Sequence, residues 1–255
     1  MSLVSSNGTS ASGAGSDATG TTEIGKVSEL PLDPPTGEVA ALVAVQRALA
    51  HTPGVRSGAR GLSHFGEHSL GWLAISGIGW GLAVRRGDER GQRRWIEAGV
   101  GAFGAHAASV IIKRIVRRKR PHDPRITVGV STPSKLSFPS SHATSTTAAA
   151  ILIGRAADLP PWLLPAALVP PMLTSRLVLG VHYPSDVAAG AAIGALSAGA
   201  VVAGDRIIEH AAEIAAEYPR AARAVGIASR IGALALVPGQ SVRTAGRYVL
   251  RNREK

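Results

Sequence analysis

His182 and Asp186 stand four residues apart, on either side of Pro184, in the string SRLVLGVHYPSD (175–186). A carboxylate able to fold back on an imidazole fixes one ring nitrogen as a donor and leaves the other free as a nucleophile. Arg176 lies in the same string, well inside an apolar run that begins near Trp162. A guanidinium at membrane depth costs roughly 2.5–3.5 kcal/mol on insertion scales, which a bound anion would offset. Two further clusters suit the same anion. KRIVRRKRP (113–121) puts Lys113 and Arg120 seven residues apart, on one helix face and roughly 10.5 Å from each other, before Pro121 ends the helix. FPSSHATS (138–145) reads as a turn into a serine-capped helix, whose free N–H groups form an anion site with His142 beside them. Each cluster has a plainer reading by itself: a basic stop-transfer flank, to which Arg114, Arg117, Arg118 and Lys119 are assigned, an ordinary helix start, and an interfacial His–Asp pair. Together they offer three cations suited to phosphate oxygens. They also offer two histidines, one with an aspartate and one without, as a nucleophile and a general acid require.

The elements that must position these residues are apolar stretches at about 68–84, 96–112, 143–157, 161–181 and 187–204. Several fall short of the ~20 residues that cross a bilayer upright, so spans tilt or start among the headgroups. If the five cross in turn, the end of the second, the start of the third, the end of the fourth and the start of the fifth share one face. Those four places hold the three clusters. The expected fold class is therefore all-α, a polytopic membrane helix bundle with about five transmembrane helices. An N-terminal amphipathic helix over 37–51 precedes them, with Val39, Leu42, Val45 and Leu49 on helical spacing. It is too short to span and reads as interfacial.

Residues 1–36, rich in Ser, Gly, Thr and Ala, are expected to be a disordered tail; they lack the basic and apolar regions of a secretory signal. The membrane domain is expected over 37–204, followed by a C-terminal amphipathic helix and basic tail over 205–255. Composition agrees with a bilayer setting. The chain is 45% apolar but only 4% aromatic, with 30 glycines, which suits close helix packing. The formal charge of +11 fits loops facing anionic headgroups or a phosphorylated substrate. A nucleic-acid partner is disfavoured, since the basic residues interleave with apolar stretches and not with stacking aromatics. The absence of cysteine excludes disulfides, thiolate nucleophiles and cysteine-held metals.

The set Lys113-x6-Arg120-Pro121, Pro139-Ser140-Ser141-His142 and Ser175-Arg176-x5-His182-x3-Asp186 resembles the three-part signature of the type 2 phosphatidic acid phosphatase family. That family shares its site with the vanadium haloperoxidases. Ser141 departs from the family's commonest residue, glycine. The resemblance implies a phosphomonoesterase that works through a phosphohistidine, without metal or other cofactor. His182 would attack phosphorus and Asp186 would orient it. His142 would protonate the leaving alkoxide and then activate water. Lys113, Arg120 and Arg176 would hold the phosphate oxygens, joined by Ser140 and the Ser141 backbone.

The implied partner is a lipid phosphate at a bilayer surface. The chain also resembles the family's branch assigned to decaprenylphosphoryl-5-phosphoribose in arabinan precursor synthesis, where the ribose 5-phosphate is removed. Phosphatidic acid, phosphatidylglycerol phosphate and polyprenyl pyrophosphate stay open as substrates. His64, His68, His122 and Asp123 are candidate headgroup contacts, as is Glu67. His106, one heptad before Lys113, is a candidate for the site's floor. A non-catalytic phospholipid-binding membrane protein would explain the basic cluster but not the two histidines. A haloperoxidase is disfavoured by the apolar spans. The expected location is the plasma membrane, multi-pass, with the active site on the cytoplasmic side, from the density of Arg and Lys in 113–125.

Overall fold

The computed structural model describes residues 34–217; the expected tail over 1–36, apart from its last three residues, and the stretch beyond 217 lie outside the described residues. The described chain is helical, with one isolated backbone bridge between Lys119 and Leu136 and no strand among the described residues. In chain order the helices are α1 (Gly37–Leu49), α2 (Val55–Phe65), α3 (Leu70–Arg86), α4 (Glu89–Val116), α5 (Ser141–Ala156), α6 (Leu163–Val178) and α7 (Pro184–Glu217). A short 3-10 turn, Glu67–Ser69, joins α2 to α3. The five apolar stretches thus become α3 to α7, and the amphipathic segment becomes α1.

Two elements depart from expectation. No element is expected between 52 and 67, where Gly54, Gly58 and Gly61 and several charges thin the apolar spacing of Val55, Ala59 and Leu62. α2 forms there nonetheless, with Ala59 buried against Val178, Leu179 and Val181. Tertiary packing supplies what local propensity lacks. The second departure is at the C-terminal end. α7 runs unbroken through residue 204, so the surface helix expected from Asp205 starts as a continuation of the last apolar helix.

α5 is the central element, and every residue from Ala143 to Ala150 is buried. Its small side chains let α4, α6 and α7 pack around it. α7 approaches most closely: a Cβ at Gly190 would lie 2.7 Å from the Ser140 carbonyl oxygen, and one at Gly194 would lie 2.9 Å from Thr147 Cβ. Both contacts are closer than a Cβ tolerates, so these positions need glycine for the helices to meet. The same contact sets the start of α5 beside the start of α7.

The outer surface is apolar. Ile78, Trp80 and Leu82 on α3, Ile96, Val100, Phe103, Ile111 and Ile115 on α4, and Leu196 and Ile207 on α7 are all exposed. Large apolar side chains exposed in such number mark a surface suited to lipid or to another apolar partner. Two helices, Glu89–Val116 and Pro184–Ala211, are long and apolar enough to cross a membrane. α3, α5 and α6 have 17, 16 and 16 residues, which reach roughly 24–26 Å.

One end of the bundle is closed by ion pairs. Arg155 donates to Glu97 at 2.7 Å and also pairs with Asp205, while Arg93 reaches Asp205 at 2.9 Å and Glu209 at 2.6 Å. Arg94 pairs with Asp158 at 2.8 Å. Asp205 lies 19 residues beyond Asp186 on α7, or roughly 28 Å by helical rise. The polar clusters of the sequence gather at the other end.

Candidate active site

The C-terminal end of α4, the N-terminus of α5, the segment after α6 and the first turn of α7 converge, each fixed by a local device. α4 ends where Arg117 turns left-handed at φ 56°, sending the chain into a long loop. Lys113 Nζ donates to the carbonyls of Ser137, at 3.0 Å, and Pro139, which ties that loop back to α4 before α5 begins. Ser140 caps α5, its hydroxyl accepting from Ala143 N at 3.5 Å. Its own N–H donates to the Asp186 carbonyl at 2.9 Å, joining the second motif to the third. Gly180, at φ 66°, makes the tight turn that releases His182 from α6. A Cβ there would come within 2.6 Å of the Thr127 carbonyl oxygen, so glycine serves both the turn and the close approach.

His182 is 2% exposed and Asp186 fully buried. Nδ1 of His182 lies 3.5 Å from Asp186 Oδ2, and its Nε2 lies 3.3 Å from Arg120 Nη1. Asp186 is itself held: Oδ2 accepts from Tyr183 N at 2.8 Å and Oδ1 from Arg118 Nη1 at 3.0 Å. Arg120 is braced by the carbonyls of Ser134, at 2.8 Å, and Val181, at 2.6 Å. Arg176 is 2% exposed. Its Nη1 donates to Ser63 Oγ at 3.1 Å and its Nε to Ser175 Oγ at 3.2 Å. Nη2 is buried without a hydrogen-bond partner among the described residues. Leaving a buried cationic donor unpaired is costly, which points to an anion as its complement. His142 Nε2 lies 3.0 Å from the Ser63 carbonyl; a hydrogen bond from Nε2 fixes the proton there and leaves Nδ1 open.

Electrostatics favour a neutral, nucleophilic His182. Burial, followed by the charges of Arg120 and Lys113, pushes its pKa down to about 3, against the opposing pull of Asp186. Burial lowers Arg120 to about 10, which leaves it cationic at neutral pH.

Lys113, Arg120, Ser141, His142, Arg176 and His182 line one cavity of about 450 Å³, and Asp186 stands behind His182. His64 and His68 line the same cavity, with Glu67 and His106. Three expected residues do not. Ser140 is fully buried, its N–H spent on Asp186 and its hydroxyl on the cap. Asp123 is engaged by Arg125 at 2.7 Å, and His122 Nδ1 lies 3.3 Å from the Arg120 carbonyl; neither lines the cavity.

Sequence reasoning missed Ser63, which meets both Arg176 and His142, because it sits on the unexpected α2. It also assigned Arg118 to a basic flank. In the structure Arg118 is a hub: it donates to Asp186 and to Ser185 Oγ at 2.6 Å, pairs with Glu38 of α1, and packs 4.1 Å from the centre of the Tyr183 ring. Glu38 also accepts from Ser185 N at 2.8 Å. Burial opposes ionisation of Glu38, but the Ser185 and Arg118 hydrogen bonds prevail and lower its pKa. A basic string gives no sign of which arginine turns inward.

Residues 94–206 match the PAP2 superfamily. A protein of Mycobacterium tuberculosis named decaprenylphosphoryl-5-phosphoribose phosphatase is 60% identical over 168 residues, covering 66% of this chain and 90% of that protein. A protein of the same name from Mycolicibacterium smegmatis is 60% identical over 158 residues, covering 62% of this chain and 83% of that protein. The crystal structure of a transmembrane PAP2 type phosphatidylglycerolphosphate phosphatase from Bacillus subtilis shares the fold, with a TM-score of 0.50 and 22% identity over 66% of this chain and 86% of that one.

Proposed function

This chain belongs to the PAP2 superfamily and is a phosphoric monoester hydrolase of membrane lipids, and from that premise we propose that it removes the 5-phosphate of decaprenylphosphoryl-5-phosphoribose. The reading is carried by 60% identity across 90% of a relative bearing that substrate's name. The product is decaprenylphosphoryl ribose, which belongs to arabinan precursor synthesis.

In the proposed mechanism Lys113, Arg120 and Arg176 grip the phosphate oxygens, with Ser141 at the helix start. Phosphoryl transfer is catalysed chiefly by positioning and charge stabilisation, and three fixed cations supply both without a metal. With Nδ1 of His182 turned to Asp186, Nε2 carries the lone pair that attacks phosphorus. His142 acts as the imidazolium, with one proton held on Nε2 by the Ser63 carbonyl and a second taken up on Nδ1 with the dianionic substrate. The P–O bond to the ribose breaks and the Nδ1 proton passes to the leaving oxygen. The Ser63 carbonyl keeps the opposite nitrogen occupied. A water then attacks the phosphohistidine while His142 takes back a proton, and phosphate leaves with His182 restored. Ser140 acts through its cap and its Asp186 bond and touches no substrate.

All of α3 to α7 cross the membrane in this reading, within a catalytic domain that begins at 37. The roughly 28 Å between Asp186 and Asp205 matches a ~30 Å hydrocarbon core. The active-site end faces the cytoplasm of the plasma membrane, supported by the basic residues of 113–125. The deciding experiment is phosphate release by the purified protein across decaprenylphosphoryl-5-phosphoribose, phosphatidic acid, phosphatidylglycerol phosphate and polyprenyl pyrophosphate. The sugar-linked lipid should be turned over best, and His182→Ala should abolish turnover. Equal or better use of another lipid removes the substrate assignment. Binding without turnover makes the chain a lipid-binding protein.

A further inference from the structure

The phosphate-facing cations account for only part of the cavity. A second wall is built by the turn Glu67–Ser69 and by α4, where His68 and His106 lie with ring centroids 5.9 Å apart. Both line the cavity. His106 precedes Lys113 by seven residues on α4, so it stands roughly 10.5 Å further along the helix, away from the site's end of the bundle.

Packing does not explain this wall. His106 Nδ1 and Ser69 Oγ are buried without hydrogen-bond partners among the described residues. His68 and Ser69 are consecutive non-glycine residues in the left-handed region, at φ 49° and 62°, a conformation costly for side chains with a Cβ and found mostly where function requires it. The turn is also pressed onto the catalytic side: a Cβ at Gly66 would lie 2.9 Å from His142 Cδ2 and 3.3 Å from Met172 Cε. A strained turn thus sets one imidazole beside another that lacks a partner, directly below the residues that hold phosphate.

We propose that His68 and His106 form a hydroxyl-reading subsite that recognises the sugar of a polyprenyl-linked pentose phosphate and thereby sets substrate specificity. The proposal rests on the reading of the chain as a phosphatase of such lipids. A substrate whose terminal phosphate lies among Lys113, Arg120 and Arg176 places its next chemical group beneath that phosphate, on the way to its tail. In phosphatidic acid this group is a doubly acylated glycerol with no free hydroxyl. In a polyprenylphosphoryl pentose 5-phosphate it is a ring with two adjacent hydroxyls. A neutral imidazole offers one donor and one acceptor, so two imidazoles match a vicinal diol. His106 Nδ1 is buried, so a ligand that leaves it unpaired is penalised, and discrimination against the acylated glycerol follows. Exposed Phe103, three residues before His106, continues this face of α4 as apolar surface, as a polyprenyl tail requires.

The test compares kcat/KM for decaprenylphosphoryl-5-phosphoribose and for phosphatidic acid, using the full chain in nanodiscs. His106→Phe and His68→Ala should each lower the ratio of the two by roughly tenfold, the loss of about one hydrogen bond. His106→Gln, which restores a donor and an acceptor, should recover part of it. A ratio within about twofold of wild type in both variants overturns the subsite. So does an equal fall for both lipids, which marks a structural role. A wild-type protein with no preference for the sugar-linked lipid overturns the substrate reading itself, a result distinct from preference that survives both substitutions. Should His106→Phe fail to fold, judged by loss of vanadate inhibition and of a cooperative melt, His68→Ala in its exposed turn carries the test alone.

Discussion

Arg118→Gln is the sharpest perturbation of the site, because Arg118 does not line the cavity yet contacts the carboxylate behind the nucleophile. Its bond to Asp186 Oδ1 is 3.0 Å, and Asp186 is fully buried while the Arg118 side chain is 30% exposed. A hydrogen bond to a charged group contributes about 1.5–3 kcal/mol, and solvent screening of a partly exposed partner moves this to the lower end. At about 1.4 kcal/mol per decade, the expected loss is roughly 10–30-fold in kcat. KM should change less than about threefold, since the phosphate-gripping cations are untouched. Glu38→Gln acts one bond further out and should cost a few-fold, in the same parameter. Arg118→Lys keeps the charge but cannot reach Asp186, Ser185 and Glu38 together, so it should fall between. The assay is steady-state phosphate release together with single-turnover formation of the acid-labile phosphoenzyme. The loss should appear in the formation step. A kcat within about twofold of wild type, or a defect confined to KM, would show that Arg118 is a membrane-facing flank after all, and the account of a braced Asp186 would fall.

Other outcomes follow from the same geometry. His142→Ala should lose most of its turnover on an alkyl phosphate but far less on an aryl phosphate, whose leaving group needs no proton; an equal loss on both would remove His142 as the general acid. Vanadate should inhibit and EDTA should not, measured by phosphate release; loss of activity on chelation would contradict charge neutralisation by Lys113, Arg120 and Arg176. His182, held down to about 3, is already neutral at ordinary assay pH, so kcat/KM should show no acid limb from it above about pH 5. Arg120→Gln removes one of the charges that depress this pKa, so the pKa should rise and the acid limb move to higher pH; movement to lower pH would refute the assigned cause. Gly194→Ala puts a Cβ 2.9 Å from Thr147 Cβ, and overpacking of this kind costs about 1–3 kcal/mol. A lower melting temperature in detergent should follow, and an unchanged one would mean that α5 and α7 are less tightly apposed than described.

The three motifs and the five apolar stretches were legible because each rests on local spacing. Four residues across Pro184 let Asp186 reach His182, whereas Lys113 and Arg120 do not share the helix face that their seven-residue interval predicts: α4 ends at Val116, Arg117 turns left-handed, and Arg120 reaches the cavity from the loop beyond. What escaped depends on contacts distant in sequence. Ser63 meets Arg176 across 113 residues and His142 across 79, from a short helix whose apolar spacing, Val55, Ala59 and Leu62, is thinned by Gly58 and Gly61. Arg118 and Glu38 meet across 80 residues, and nothing in RRK (117–119) marks Arg118 as the residue that reaches Asp186. Ser140 failed in the opposite direction: a cap residue looks like a phosphate ligand in sequence, until its N–H is found on the Asp186 carbonyl.

The two ends of the bundle use arginine in opposite ways, and the difference identifies the functional one. At the far end Arg93, Arg94 and Arg155 are each matched by carboxylates, from Glu97, Asp158, Asp205 and Glu209. Charge there is cancelled within the protein, which is what holding helices together requires. At the near end Asp186 and Glu38 are taken by Arg118, Asp123 is taken by Arg125, and Glu67 lies 3.9 Å from His64. Arg120, Lys113 and Arg176 make their described hydrogen bonds only to neutral acceptors: backbone carbonyls, two serine hydroxyls and an imidazole. Such bonds orient a cation without neutralising it, so the cavity keeps its positive charge. Buried cations left in this state are costly, and a dianionic phosphate at their common focus relieves the cost more as its charge spreads over the equatorial oxygens during transfer. Arg118 contributes to this arrangement by pairing with Asp186 and Glu38, so that neither carboxylate is left without a cation. The same contact that braces Asp186 for His182 is therefore part of what keeps the phosphate site cationic.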